Sequence, residues 1–172
     1  RLRDALADKN HQLARAVEQV REMAIRDDLT GLFNRRHLLE VLERQRALFA
    51  RKGLSFAICY VDLDHFKQIN DRHGHDWGDR VLRRFSALAL AGMRDGDYFG
   101  RLGGEEFLLI LPQSNEQGAL RVAERLRERW REESFGQEGG PNAVSLSVGV
   151  AACQEDETVD ELLNRADQGL YR

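Results

Sequence analysis

"RLGGEEFLLILP", residues 101–112, decides how the chain is read. Two glycines and two glutamates stand directly ahead of a run that is almost entirely apolar. A Gly-Gly step between strand-like segments is a hairpin signal. "DYFGRLGG" and "EEFLLILP" are therefore expected to form two strands facing each other across Gly103 and Gly104. Glu105 and Glu106 then lie at the mouth of a buried strand, where paired carboxylates are costly unless something cationic meets them.

Working outward, "LSFAICYVDLD" reads as a buried central strand over 54–62, because its apolar residues are continuous rather than alternating. A helical pattern runs from Arg35 to near Gly53 and carries Leu38, Leu39, Leu42, Leu48 and Phe49. A second covers about 76–91. Beyond the hairpin, residues 115–133 are helical, 143–152 form a strand, and 158–172 a last helix with Thr158 as its N-cap. After the first of these helices the order is strand, helix, hairpin, helix, strand, helix. That is an α+β, ferredoxin-like βαββαβ core, an antiparallel-containing sheet with helices on one face.

Residues 1–26 contain neither Gly nor Pro, and their apolar positions keep a heptad. Leu6, Leu13 and Val20 fall at one core position, Leu2, Ala16 and Met23 at the other, with Lys9 as the misfit. We read a coiled-coil stalk of fewer than four heptads. The alternative is a single amphipathic helix packed on its own domain. The domain division is thus a stalk over 1–26 and one globular unit over 27–172.

The 172 residues, 42% hydrophobic, are ample for one compact domain plus that appendage. With 26 basic against 29 acidic residues the net charge is −3, so a broad electrostatic grip on a nucleic acid polymer is not expected. Cys59 and Cys153 lie in apolar runs and read as buried thiols of a reducing, cytoplasmic compartment. No apolar stretch is long enough to span a membrane, and no signal peptide is present. The chain begins at Arg1 within a helical pattern and reads as a piece of a longer protein, for which membrane anchoring stays open.

The first strand ends in "VDLDHFKQIND". In a βαββ unit this strand lies beside the hairpin, so Asp62 converges with Glu105 and Glu106 at one end of the sheet. Carboxylates gathered in a partly buried site repel and raise one another's pKa unless a hard divalent cation neutralises them. Magnesium takes one or two carboxylates, keeps waters and completes its shell with substrate phosphates. The bland alternative makes Asp62 a helix cap and the glutamates an exposed hairpin edge. "HFKQINDRHGHDWGD" weighs against it. Lys67, one of three lysines, follows Asp62 by five residues, and Asn70, Asp71, His75, Asp76 and Asp79 surround Gly74 and Gly78. Polar, Gly-bounded loops at strand-to-helix junctions offer backbone N–H groups to anions.

Taken in order, "DDLTGLFNRR", "VDLDHFKQINDRHGHDWGD" and "RLGGEEF" resemble the GGDEF domains of bacterial diguanylate cyclases over about residues 27–172. The resemblance implies a palm-type core with helices around a central mixed sheet. It implies condensation of two GTP molecules into cyclic di-GMP with release of pyrophosphate, by Mg-assisted attack of each 3′-hydroxyl on the partner's α-phosphate. It implies that Asp62, the main-chain carbonyl of Leu63, and Glu105 bind magnesium, or manganese in its place. Glu105 would also accept the proton of the attacking hydroxyl, and Glu106 would complete the acidic site. Asn70 and Asp79 match guanine-binding positions, His75 a further substrate position, Leu29 and Leu82 the apolar walls beside the base, and the main chain around Phe66 and Lys67 the triphosphate loop. Arg94 and Asp97, an R-x-x-D ahead of the hairpin, match an inhibitory site for the product. Arg125, on the helix over 115–133, is the candidate for the second arginine surface, supplied by a partner domain.

The implied partners are GTP, cyclic di-GMP as product and inhibitor, and a second copy through the stalk or the facing active sites, with no membrane contact by this fragment. The last helix stops where the family usually continues with a phosphate-contacting lysine and arginine. Two other function classes compete with a signalling output enzyme. One is a catalytically weak domain serving as a GTP or cyclic di-GMP binding module, against which the intact "GGEEF", Asp62 and Lys67 argue. The other is a polymerase-like or adenylyl cyclase-like enzyme, which lacks support from the remaining motif blocks.

Overall fold

The computed structural model describes residues 2–136 and 139–170. Four strands, β1 (Phe56–Leu63), β2 (Tyr98–Gly103), β3 (Glu106–Pro112) and β4 (Leu146–Ala152), form one sheet in the order β2-β3-β1-β4. All three pairings are antiparallel, so the expected mixed sheet is corrected. Among the described residues the parallel contact is an isolated bridge, Phe33 to Gly100, at the outer edge of β2.

The expectation of helices on one face is corrected as well, and the reason is visible in the central strands. Because β1 and β3 are apolar at successive positions, both of their faces need cover. Ala57, Cys59, Val61, Leu63, Phe107 and Leu109 join one core cluster with residues of α3 (Phe66–His73), α4 (His75–Leu90) and α5 (Glu116–Arg131). Phe56, Ile58, Leu108 and Ile110 join another with α2 (Arg35–Lys52) and α6 (Val159–Gln168). Cys59 and Cys153 are both buried and free, as read from their runs.

Local chemistry fixes the helix ends. Asn34 and Asn115 accept from the backbone of the first turns of α2 and α5. Thr158 and Glu161 form a reciprocal capping box at the start of α6. α6 sits directly on the sheet at Gly149, where an added Cβ would lie 1.7 Å from the carbonyl oxygen of Ala166. Any other residue at 149 would have to lift α6 away.

α1 (Leu2–Ile25) is a helix over the segment read as a stalk. Every residue from Leu6 to Arg21 is exposed, including Leu6, Leu13 and Val20, so this helix does not pack on its own domain. Its end is anchored. The Asn34 side chain donates to the carbonyls of Ala24 and Arg26, and the Arg26 guanidinium lies 4.3 Å over the Phe33 ring. Phe33 in turn bonds both neighbours of Gly100 through its backbone. Among the described residues no helix is long and apolar enough to cross a membrane.

Candidate active site

The hairpin turn is Gly104–Glu105, with Gly103 paired to Glu106 as the last residue of β2. Gly104 takes φ 53°, a left-handed conformation that glycine adopts without Cβ strain. Glu105 is therefore at the tip, and its carbonyl accepts from the Leu63 N–H at 3.3 Å. Glu106, the first residue of β3, stands directly opposite Asp62. The structure thus brings Asp62, Leu63, Glu105 and Glu106 to one end of the sheet, as expected.

Burial, followed by Glu105, Glu106, Asp64 and Asp167, pushes the Asp62 carboxyl up to about 6. The charges acting on it are all carboxylates. Among the described residues no three His, Cys, Asp or Glu side chains form a metal cage. That donor set fits magnesium held by two carboxylates and a carbonyl with phosphates completing the shell, and does not fit a closed structural site. The unbalanced charge around Asp62 is the observation in favour.

Asp64 lies just beyond. Its two oxygens accept from Ser145 Oγ at 2.7 Å and Ser147 Oγ at 2.6 Å, and its N–H donates to the Ser145 carbonyl. This ties the loop after β1 to β4. His65 follows in the left-handed region, φ 59°, and no side chain caps α3. The first-turn N–H groups of Phe66 and Lys67 are consequently presented to an incoming anion beside the carboxylates. Lys67 is exposed, whereas the Phe66 ring is buried.

α3 and α4 meet at a close approach. An added Cβ on Gly78 would lie 2.0 Å from Asn70 Oδ1, so the Asn70 side chain occupies the space this glycine leaves. Asp79 is the next residue of α4, half-buried, and His75 is exposed at the start of that helix. Leu82 lies within the core at 2% exposure, while Leu29 is partly buried against the same cluster. Arg83 of α4 donates to the Leu29 carbonyl at 3.4 Å, which holds the Leu29 loop against α4. An open groove of about 800 Å³ runs along the other side of α3, between Asp64, Gln68, Arg72 and the 140–145 segment.

Arg94 and Asp97 form an ion pair at 2.9 Å with Asp97 nearly buried and Arg94 exposed. Arg94 also donates to the Pro112 carbonyl and to Ser114 Oγ. Arg125 donates to the Gly92 carbonyl at 3.3 Å, so it stands beside the R-x-x-D of its own domain.

Besides Asp64, two further residues that sequence reasoning passed over are built into the site. The Arg101 guanidinium donates twice to the Gly104 carbonyl, at 2.9 and 2.8 Å, and once to each oxygen of Asp27, at 3.3 and 3.4 Å. Burial opposes ionisation of Asp27, but bonds from Thr30 and the Arg101 charge outweigh it and hold its pKa below the usual carboxylate value. Arg101 thereby joins the turn carrying Glu105 to the loop carrying Leu29. The Tyr60 hydroxyl donates to Glu106 Oε1 at 2.7 Å. Burial and then that bond push the phenol's pKa up, so it remains a donor at neutral pH.

The chain as a whole is similar to known proteins. Residues 24–172 match the family described as Diguanylate cyclase, GGDEF domain. Diguanylate cyclase DgcP of Pseudomonas aeruginosa is 37% identical over 169 residues, 98% of this chain. The chain spans only 24% of DgcP. The solved structure of diguanylate cyclase SiaD from P. aeruginosa, in complex with its activator SiaC, is 42% identical with a TM-score of 0.83, over 95% of this chain and 64% of SiaD. That of the coiled coil and GGDEF domain of DgcB from Caulobacter crescentus, in complex with c-di-GMP, has a TM-score of 0.86 at 28% identity, over 97% of this chain and 91% of DgcB's. With three motif blocks gathered around one sheet end and a match over the whole globular unit, the chain belongs to the GGDEF-domain diguanylate cyclase family.

Proposed function

We propose that this domain condenses two GTP molecules into cyclic di-GMP, as the output unit of a signalling protein. The observation that carries the reading is the convergence of Asp62, Glu105 and Glu106 beside the uncapped start of α3. Asp62, the Leu63 carbonyl and Glu105 would hold magnesium or manganese, which when bound neutralises the acidic cluster and polarises the α-phosphate. The N–H groups of Phe66 and Lys67 orient the triphosphate, with the Lys67 ammonium as an added cation. Asn70 and Asp79 meet the guanine edge, and a site built on these hydrogen bonds leaves its groups unpaired when adenine is offered. His75 lies at the rim, while Leu29 and Leu82 bound the base. Glu105, at the hairpin tip, accepts the proton of the attacking 3′-hydroxyl.

The chemistry needs a second domain facing the first, because each domain holds one GTP. The exposed apolar stripe of α1 suits a stalk that brings two copies together. DgcB's complex with c-di-GMP supports product recognition in a near relative. Here Arg94, Asp97 and a partner's arginine, with Arg125 as the candidate, would bind product and hold the two sites apart. Noncompetitive inhibition by cyclic di-GMP, lost in Arg94→Ala with basal synthesis intact, checks that assignment; competition with GTP would overturn it.

The decisive experiment incubates the protein with GTP and Mg²⁺ and separates the nucleotides. Cyclic di-GMP with pyrophosphate is expected, and neither in Glu105→Ala. Bound but unconverted GTP would instead identify a binding module.

A further inference from the structure

Tyr60 lies outside the motif blocks that carry the family likeness, yet it touches the acidic site. It precedes Asp62 by two residues on β1 and therefore shares its face of the sheet. Glu106 is the residue directly opposite Asp62, which makes Tyr60 and Glu106 diagonal neighbours, within reach for an aromatic side chain. The other flank is closed. Tyr60 pairs with Gly149 on β4, where the α6 backbone at Ala166 leaves no space even for a methyl group. The phenol ends on β3's side, with its hydroxyl 2.7 Å from Glu106 Oε1. Glu106 Oε2 has no hydrogen-bond partner among the described residues.

We propose that Tyr60 is a positioning residue for Glu106. It holds one carboxylate oxygen so that the other faces the cation gathered by Asp62 and the hairpin tip. Like charges set opposite each other across two strands repel. Without the phenol, Glu106 would rotate away from Asp62, and the cation would lose the attraction of a negative charge held beside its ligands. This rests on the reading that Glu106 belongs to a divalent-cation site.

The test compares wild type, Tyr60→Phe, Glu106→Gln and the double variant by Mn²⁺ titration, followed by electron paramagnetic resonance, with a non-reacting GTP analogue bound. Tyr60→Phe deletes one oxygen and keeps the ring in its packing, and thermal unfolding checks that the fold is retained. The expected result is Mn²⁺ binding about tenfold weaker in Tyr60→Phe, the size of one hydrogen bond to a charged group. Glu106→Gln should weaken binding at least as much, and adding Tyr60→Phe to it should change nothing further. The Mg²⁺ needed for half-maximal turnover should rise in Tyr60→Phe, with the KM for GTP unchanged at saturating Mg²⁺. Unaltered Mn²⁺ affinity in Tyr60→Phe while Glu106→Gln weakens it would overturn the role of Tyr60 alone. Unaltered affinity in Glu106→Gln would overturn this proposal and leave the cation to Asp62, the Leu63 carbonyl and Glu105. A Tyr60→Phe loss that persists in full on the Glu106→Gln background would show that Tyr60 does not act through Glu106.

Discussion

Asp62 faces Glu106 across the ladder, and the charges acting on it are carboxylates, which together with burial move its pKa from the usual 3.8 to about 6. Between those values the folded protein keeps a proton that the unfolded chain has released. Stability therefore falls as pH rises through that window, and the loss is complete above about 6. A divalent cation binds the ionised form and offsets the repulsion. Mg²⁺ should raise Tm clearly at about pH 7.5 and hardly at all at about pH 5, since linkage vanishes once the carboxyl is protonated. Asp62→Asn should remove the difference. Equal shifts at both pH values would mean that Mg²⁺ binds elsewhere. Asp62 and Glu105 were legible because their spacing from apolar runs places them at strand ends. Arg101, Asp64 and Tyr60 were not. Their roles depend on Asp27, on Ser145 and Ser147, and on Glu106, partners that only the sheet register and loop closure bring near.

At the scale of elements, the uninterrupted apolar runs of β1 and β3 and the capped helices α2, α5 and α6 were readable, with ends displaced by a few residues. α3 was not. It has eight residues, no side-chain cap and only Phe66 and Ile69 buried, too little to register as a period. It persists because it packs against α4 at Gly78, which a single-sequence pattern does not express. The turn also moved by one residue, from Gly103–Gly104 to Gly104–Glu105, because β2 shifts register between Arg101 and Gly103. The α3–α4 contact yields a test. Gly78→Ala gains roughly 1 kcal/mol of helix propensity. It forces Asn70 out of its rotamer at about the same cost. Stability should change little, while preference for GTP over ATP falls about tenfold, the worth of one orphaned guanine contact. Retained nucleotide selectivity, measured by competition binding, would remove Asn70 from the base site.

Over the whole molecule, a series of hydrogen bonds joins the end of α1 to the hairpin of the acidic site. α1 ends on Asn34 and Phe33, Phe33 bonds the edge of β2, and Arg101 of that strand grips both Asp27 and the carbonyl before Glu105. Upstream of this anchor the helix presents Leu6, Leu13, Val20 and Met23 to solvent, each more than 60% exposed. A face that apolar is costly for an isolated helix and natural for a coiled coil. Pairing two stalks would raise the effective concentration of one GTP site near the other to about millimolar. Removing residues 1–21 leaves the anchor from Glu22 onward intact. The shortened protein should bind GTP normally per chain yet lose specific activity steeply on dilution, whereas the full chain holds its activity to much lower concentration. Superimposable dilution curves for the two proteins would mean that the catalytic encounter is made by the globular domains alone, and that the exposed stripe of α1 serves something other than dimerisation.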